Sequence, residues 1–94
     1  MTNKKKPIYE CMVITKGNDE NYVDKFVEII KELGGKIEKV DKWGVKRLAY
    51  EICGLNEGFY TLIKMDTIPQ VIKELDRRLK LDENVLRHLL IRGA

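Results

Sequence analysis

The chain has 94 residues and a formal net charge of +3, from 18 Lys and Arg against 15 Asp and Glu; 44% of it is hydrophobic. That length fits one small domain and leaves no room for a second. Apolar residues recur from Ile8 to Ile91, which excludes a long disordered tail, and no apolar run approaches the roughly 20 residues of a membrane helix.

The opening lysines, Lys4, Lys5 and Lys6, are followed by no apolar stretch of signal-peptide length, so a cytoplasmic protein is expected. Residues 1–6 read as a flexible basic arm, 7–92 as the single domain and 93–94 as the C-terminal end. Ile8-Tyr9-Glu10-Cys11-Met12-Val13-Ile14 is rich in β-formers with little polar content, as a central strand buried on both sides would be. Lys16-Gly17-Asn18-Asp19 breaks it, with Asn18 or Asp19 as a helix N-cap. Tyr22, Val23, Phe26, Ile29, Ile30 and Leu33 then recur at three- and four-residue steps, the stripe of an amphipathic helix that Gly34-Gly35 terminates.

Residues 36–53 form the longest β-like stretch. Ile37 and Val40 are out of phase, whereas Leu48, Tyr50 and Ile52 alternate, so a bulge is expected, with Gly44 the natural place for it. Turn residues occupy 54–58 and a strand follows over 59–65. Thr67-Ile68-Pro69 opens a second helix with the stripe Ile68, Ile72, Leu75 and Leu79; Asp82-Glu83-Asn84 ends it, and 85–91 is the last strand. The order βαββαβ predicts an α+β, ferredoxin-like fold: two split βαβ units interleaved as a four-stranded antiparallel sheet, both helices on one face and the other face uncovered.

Parts for catalysis are scarce. The chain contains no serine. Cys11, Cys53 and the single His88 are too few soft ligands for a zinc site, and the two cysteines read as buried thiols. No glycine-rich phosphate loop precedes a helix. Asp19-Glu20 and Asp82-Glu83 fall at element boundaries, where turns and caps account for them. The arginine loop of an acylphosphatase and the cysteine cluster of a ferredoxin are both missing. No catalytic, metal or cofactor site is expected.

The basic residues sort into groups. Lys25, Lys31, Lys73, Arg77 and Lys80 sit among carboxylates on helix faces and read as solvated pairs. Lys46-Arg47 has no acidic neighbour before Glu51, and Arg87, His88 and Arg92 form a second group without carboxylates; such side chains suit phosphate oxygens. An RNA-recognition motif shares the element order, but its signature maps onto residues 57–64 with Thr61 and Lys64 where stacking rings are needed. Base stacking on this sheet is therefore not expected.

Several segments in order resemble a known family. They are Tyr9-Glu10, Gly34-Gly35-Lys36-Ile37, Asp41-Lys42-Trp43-Gly44-Val45-Lys46-Arg47-Leu48-Ala49-Tyr50, Gly58-Phe59-Tyr60, Ile72-Lys73-Glu74-Leu75-Asp76-Arg77 and Val85-Leu86-Arg87. Together they are similar to the sixth protein family of the bacterial small ribosomal subunit. The resemblance implies a structural, non-catalytic ribosomal protein that binds 16S rRNA together with the eighteenth small-subunit protein, as a heterodimer, with no membrane and no small-molecule substrate. It makes Lys46, Arg47, Arg87 and Arg92 candidates for RNA contact. Trp43, Leu48 and Tyr50 are either core residues or contacts to the partner protein. The acidic tail of some relatives is not expected in a chain ending Gly93-Ala94. Readings from other classes are a metabolite-sensing module that dimerises through the same sheet and, more distantly, an acylphosphatase-type enzyme.

Overall fold

The computed structural model describes residues 8–16, 21–52 and 54–92. The arm at 1–6, the Asn18 or Asp19 cap, Cys53 and the C-terminal pair lie outside them. The elements are β1 (Ile8–Thr15), α1 (Asp24–Glu32), β2 (Lys36–Ile52), β3 (Leu55–Asp66), α2 (Pro69–Leu81) and β4 (Val85–Arg92). The sheet runs β2-β3-β1-β4, every neighbour antiparallel. This is the ferredoxin-like arrangement the element order implied.

Alternation along β1 sends Tyr9, Cys11, Val13 and Thr15 to the helix side, where they are buried. Their counterparts on the other side, Ile8, Glu10, Met12 and Ile14, are only half-buried. The expectation of a strand buried on both faces is thus corrected: β1 is central, but the helices cover one face alone, and the other stays half-buried. The core joins Tyr9, Cys11, Val13, Ile63 and Met65 of the sheet to Phe26 and Ile30 of α1 and Leu75 and Leu79 of α2.

Asp24 in the first turn of α1 and Lys31 in its last complement the helix dipole. The helix closes at Leu33, with Gly34 beyond it at φ +95°. At that cap Leu33 is exposed and leaves the apolar stripe. In α2 the buried residues are Val71, Leu75 and Leu79. Ile68, expected on the stripe, is exposed instead. It is the N-cap, held extended (φ −112°, ψ 161°) ahead of Pro69, and the chain there has not yet entered the helix.

β2 departs most from an even ladder. Its register against β3 slips between Ile37 and Lys39 and again between Lys42 and Gly44. The phase change between Ile37 and Val40 therefore arises at Glu38, and the bulge expected at Gly44 is a second one, with Gly44 at φ +95°, a conformation costly for any residue with a Cβ. Beyond Arg47↔Glu57 the next pair is Ile52↔Leu55, so residues 48–51 face Asn56 alone and β2 bows out. Strand β3 begins at Leu55, and residues 54–58, expected as a turn, belong largely to the strand. Because β1 pairs with β3 only over Phe59–Asp66, the β2–β3 hairpin projects past the end of β1.

Candidate nucleic-acid interface

The projecting hairpin carries Lys46 and Arg47. Lys46 is in register with Gly58 and Arg47 with Glu57; both cations are exposed. The sequence suggested that Arg47 has no carboxylate before Glu51, but the fold puts Glu57 directly across the ladder. The two still make no ion pair, and neither Lys46 nor Arg47 has a carboxylate within 4 Å among the described residues. The Lys46 ammonium lies 6.0 Å from the centre of the Trp43 ring, which is 45% exposed.

The terminal-strand group does not hold together. Arg87 pairs with Ile14 and Arg92 with Tyr9, so Arg87 lies on the open face and Arg92 on the helix side. Five residues at about 3.3 Å each also separate them by roughly 17 Å along β4. His88, expected without a carboxylate, donates its Nε2–H to Asp76 Oδ1 of α2 at 2.7 Å. That imidazole, together with Lys80, holds the Asp76 carboxyl below its ordinary range.

Arg87 instead meets the hairpin. Its guanidinium donates to the Tyr50 hydroxyl and lies 5.6 Å from the centre of that ring. Ile14, Leu48, Ile52 and Tyr60 complete a groove of about 190 Å³ at this junction. Leu48 is 7% exposed and closes over Gly58, where an added Cβ would come 2.6 Å from Ile14 Cγ2 and 3.5 Å from Leu48 Cδ2. Internal packing accounts for Leu48, which removes it from the candidate partner contacts; Trp43 and Tyr50 remain exposed. Ile14 and Tyr60 were not singled out in the sequence. Their only signal is even position on two strands whose odd or even faces cannot be told apart without the register.

Several basic residues elsewhere are engaged, whereas Lys16, Lys36, Lys31 and Lys73 make no ion pair among the described residues, so the pairs expected for the last two do not form. Lys25 reaches Asp82 at 2.7 Å, Arg77 and Arg78 hold Glu74 at 2.6 and 2.7 Å, and Lys80 holds Asp76 at 3.1 Å. Glu74 is pulled down to about 2 by Arg77 and Arg78. Lys42 bridges from β2 to Asp24 of α1 at 3.3 Å. Asp82 also accepts from the Tyr22 hydroxyl at 2.6 Å and the Asn84 N–H at 2.9 Å. Its burial pushes the carboxyl up, but the hydrogen bonds from Lys25, Tyr22 and Asn84 outweigh that and leave it below the ordinary range.

Two candidate chemistries are closed by the same geometry. Phe59, the ring that an RNA-recognition signature would place for stacking, points into the core at 6% exposure, and Thr61 is fully buried beside it. The Cys11 thiol is buried, as expected from the sequence, and its pKa is pushed up to about 12 by desolvation, with Asp76 adding to the effect, so thiolate chemistry is closed to it at neutral pH.

Comparison with known proteins gives a consistent answer. A family model described as Ribosomal protein S6 matches residues 8–92. The small ribosomal subunit protein bS6 of Alkaliphilus oremlandii is 49% identical over 89 residues, covering 89% of this chain and 94% of that protein. The bS6 protein of Clostridioides difficile is 42% identical over 87 residues, with 88% and 95% covered. A crystal structure of 30S ribosomal protein S6 from Thermotoga maritima superposes with a TM-score of 0.87 at 36% identity, covering 95% of this chain and 89% of that one. The C-terminal domain of the MgtC protein from Mycobacterium tuberculosis also superposes, with a TM-score of 0.67, but at 16% identity it shares the fold alone. By sequence over nearly its whole described length and by fold, the chain belongs to the ribosomal protein S6 family.

Proposed function

We propose that this protein, a structural constituent of the small ribosomal subunit by its family, binds 16S rRNA with the projecting β2–β3 hairpin. Lys46 and Arg47 are the principal phosphate contacts, with Arg87 beside them at the base of the hairpin and Arg92 a separate contact at the end of β4. The observation that carries this reading is the pair of adjacent, exposed cations on the projecting hairpin, neither with a carboxylate within 4 Å among the described residues although Glu57 stands across the ladder. Phosphate contact of this kind fixes position and reads little sequence, and a domain of net charge +3 shares such a task readily with a second protein. That second protein is the eighteenth of the small subunit, bound as a heterodimer. Trp43 and Tyr50 are its candidate contacts, and the uncovered face, where Leu89 and Ile91 are 57% and 48% exposed, offers apolar ground for it.

Titrating the protein, with and without the eighteenth protein, against a 16S rRNA fragment between 50 and 200 mM salt tests the reading. Replacing Lys46 and Arg47 together by Ala should flatten the log–log salt slope by about 1.5, at roughly 0.7–0.9 per phosphate contact, and leave thermal unfolding unchanged. A slope equal to that of the wild type would remove the hairpin from the RNA surface.

A further inference from the structure

We infer that Tyr50 is a positioning residue for the RNA-contact segment: anchored by Arg87, it ties the bowed part of β2 to the sheet and fixes how Lys46 and Arg47 are presented. The inference rests on the RNA reading of the hairpin. It begins from the backbone. Residues 48–51 have no register partners on β3, so the ladder that holds a strand in place is interrupted immediately after the two cations. What replaces it is side-chain contact. Leu48 packs on Ile14 and Gly58, and Tyr50 reaches Arg87 across a sequence separation of 37.

The reach is informative. β2 and β4 are the two edges of the sheet, three inter-strand steps apart, about 14 Å in a flat ladder. The side chains of Tyr50 and Arg87 span that width and meet over the open face, in the groove that Ile14, Leu48 and Tyr60 also line. The bond also orients Arg87. A guanidinium has five N–H donors, so one committed to the phenol leaves others available on a side chain that is exposed. A segment held in its bound shape loses less conformational freedom on binding, and Tyr50, itself 59% exposed, supplies that restraint without contributing a charge.

Two variants separate restraint from charge. Tyr50→Phe keeps the ring and deletes the hydroxyl; Arg87→Gln removes the charge and the anchor together. Amide hydrogen exchange at residues 48–51 should quicken in both. Affinity for the 16S rRNA fragment should fall about 2- to 10-fold in Tyr50→Phe, the effect of one lost hydrogen bond, with the salt slope unchanged. In Arg87→Gln the slope should drop as well, by close to one contact. Unaltered exchange at 48–51 in Tyr50→Phe would overturn the inference, as would a Tyr50→Phe variant whose slope falls with its affinity. Failure of the wild-type protein to bind the fragment would overturn the RNA reading itself, and the exchange measurement, which needs no RNA, tells that failure from the failure of the anchor.

Discussion

On the body of the molecule, several cations tie one element to another: Lys42 closes on Asp24, Lys25 on Asp82, His88 on Asp76, Lys64 on Glu10. On the hairpin, Lys46 and Arg47 are left open even though Glu57 stands across the ladder from one of them. The body also carries the apolar core, while the hairpin is bound to it by a few side chains around Gly58. The contrast separates two uses of a basic residue. A cation that joins elements, such as Lys25 or Lys42, has its carboxylate within the fold; Lys46 and Arg47 stand on a part of the chain that the fold can hold without them.

The sharpest way to break this division is to weaken the body alone. Leu75 is fully buried between α2 and the sheet, and Leu75→Ala should lower unfolding free energy by about 2–5 kcal/mol, read from denaturant midpoints. While the variant is folded, its rRNA affinity should match the wild type. A smaller effect follows at the joint between the two regions. Gly58→Ala forces Ile14 to move, because the new Cβ would stand 2.6 Å from its Cγ2; a loss of about 1–3 kcal/mol is expected, accompanied by faster amide exchange in the hairpin. A variant as stable as the wild type would mean that the hairpin does not seat on the sheet through this contact.

The least of the three concerns pH. The folded-state pKa of Asp82 is depressed, so its contribution is fully present above the ordinary carboxylate range and is lost as pH falls through the folded value. Asp82→Asn should therefore be less stable than the wild type at pH 7, by about 1–2 kcal/mol for weakened hydrogen bonds to a charged group. The gap should narrow steadily in acid, and rRNA affinity at pH 7 should not change. A gap that persists undiminished in strong acid would assign the effect to packing in place of charge.

The order of elements was legible because each rests on local sequence: Phe26 and Ile30 at four-residue spacing, or the β-forming run from Ile8 to Ile14, whose alternate burial of Tyr9, Cys11 and Val13 only the structure shows. Ile68 was misplaced because its apolar side chain fits the helical spacing while its backbone, before Pro69, does not. The turn was drawn too long because Asn56 and Gly58 are turn residues by preference, yet here they extend a strand, Gly58 for the room it leaves to Ile14 and Leu48. At the site, Lys46 and Arg47 stood out by the absence of near charges in sequence. Arg87 and Arg92 were grouped although an odd spacing on a strand puts them on opposite faces. The meeting of Tyr50 with Arg87 leaves no mark in the sequence at all: the two lie 37 residues apart, on the strands at opposite edges of the sheet.

The sealing of Cys11 at the middle of the central strand has a practical corollary. Fully buried, with its pKa near 12, this sulfur is inert to alkylating reagents until β1 parts from its neighbours. In a form of the chain with the other cysteine replaced, the speed of its modification would clock how often the whole domain comes apart, with no label to attach and no fluorophore to introduce.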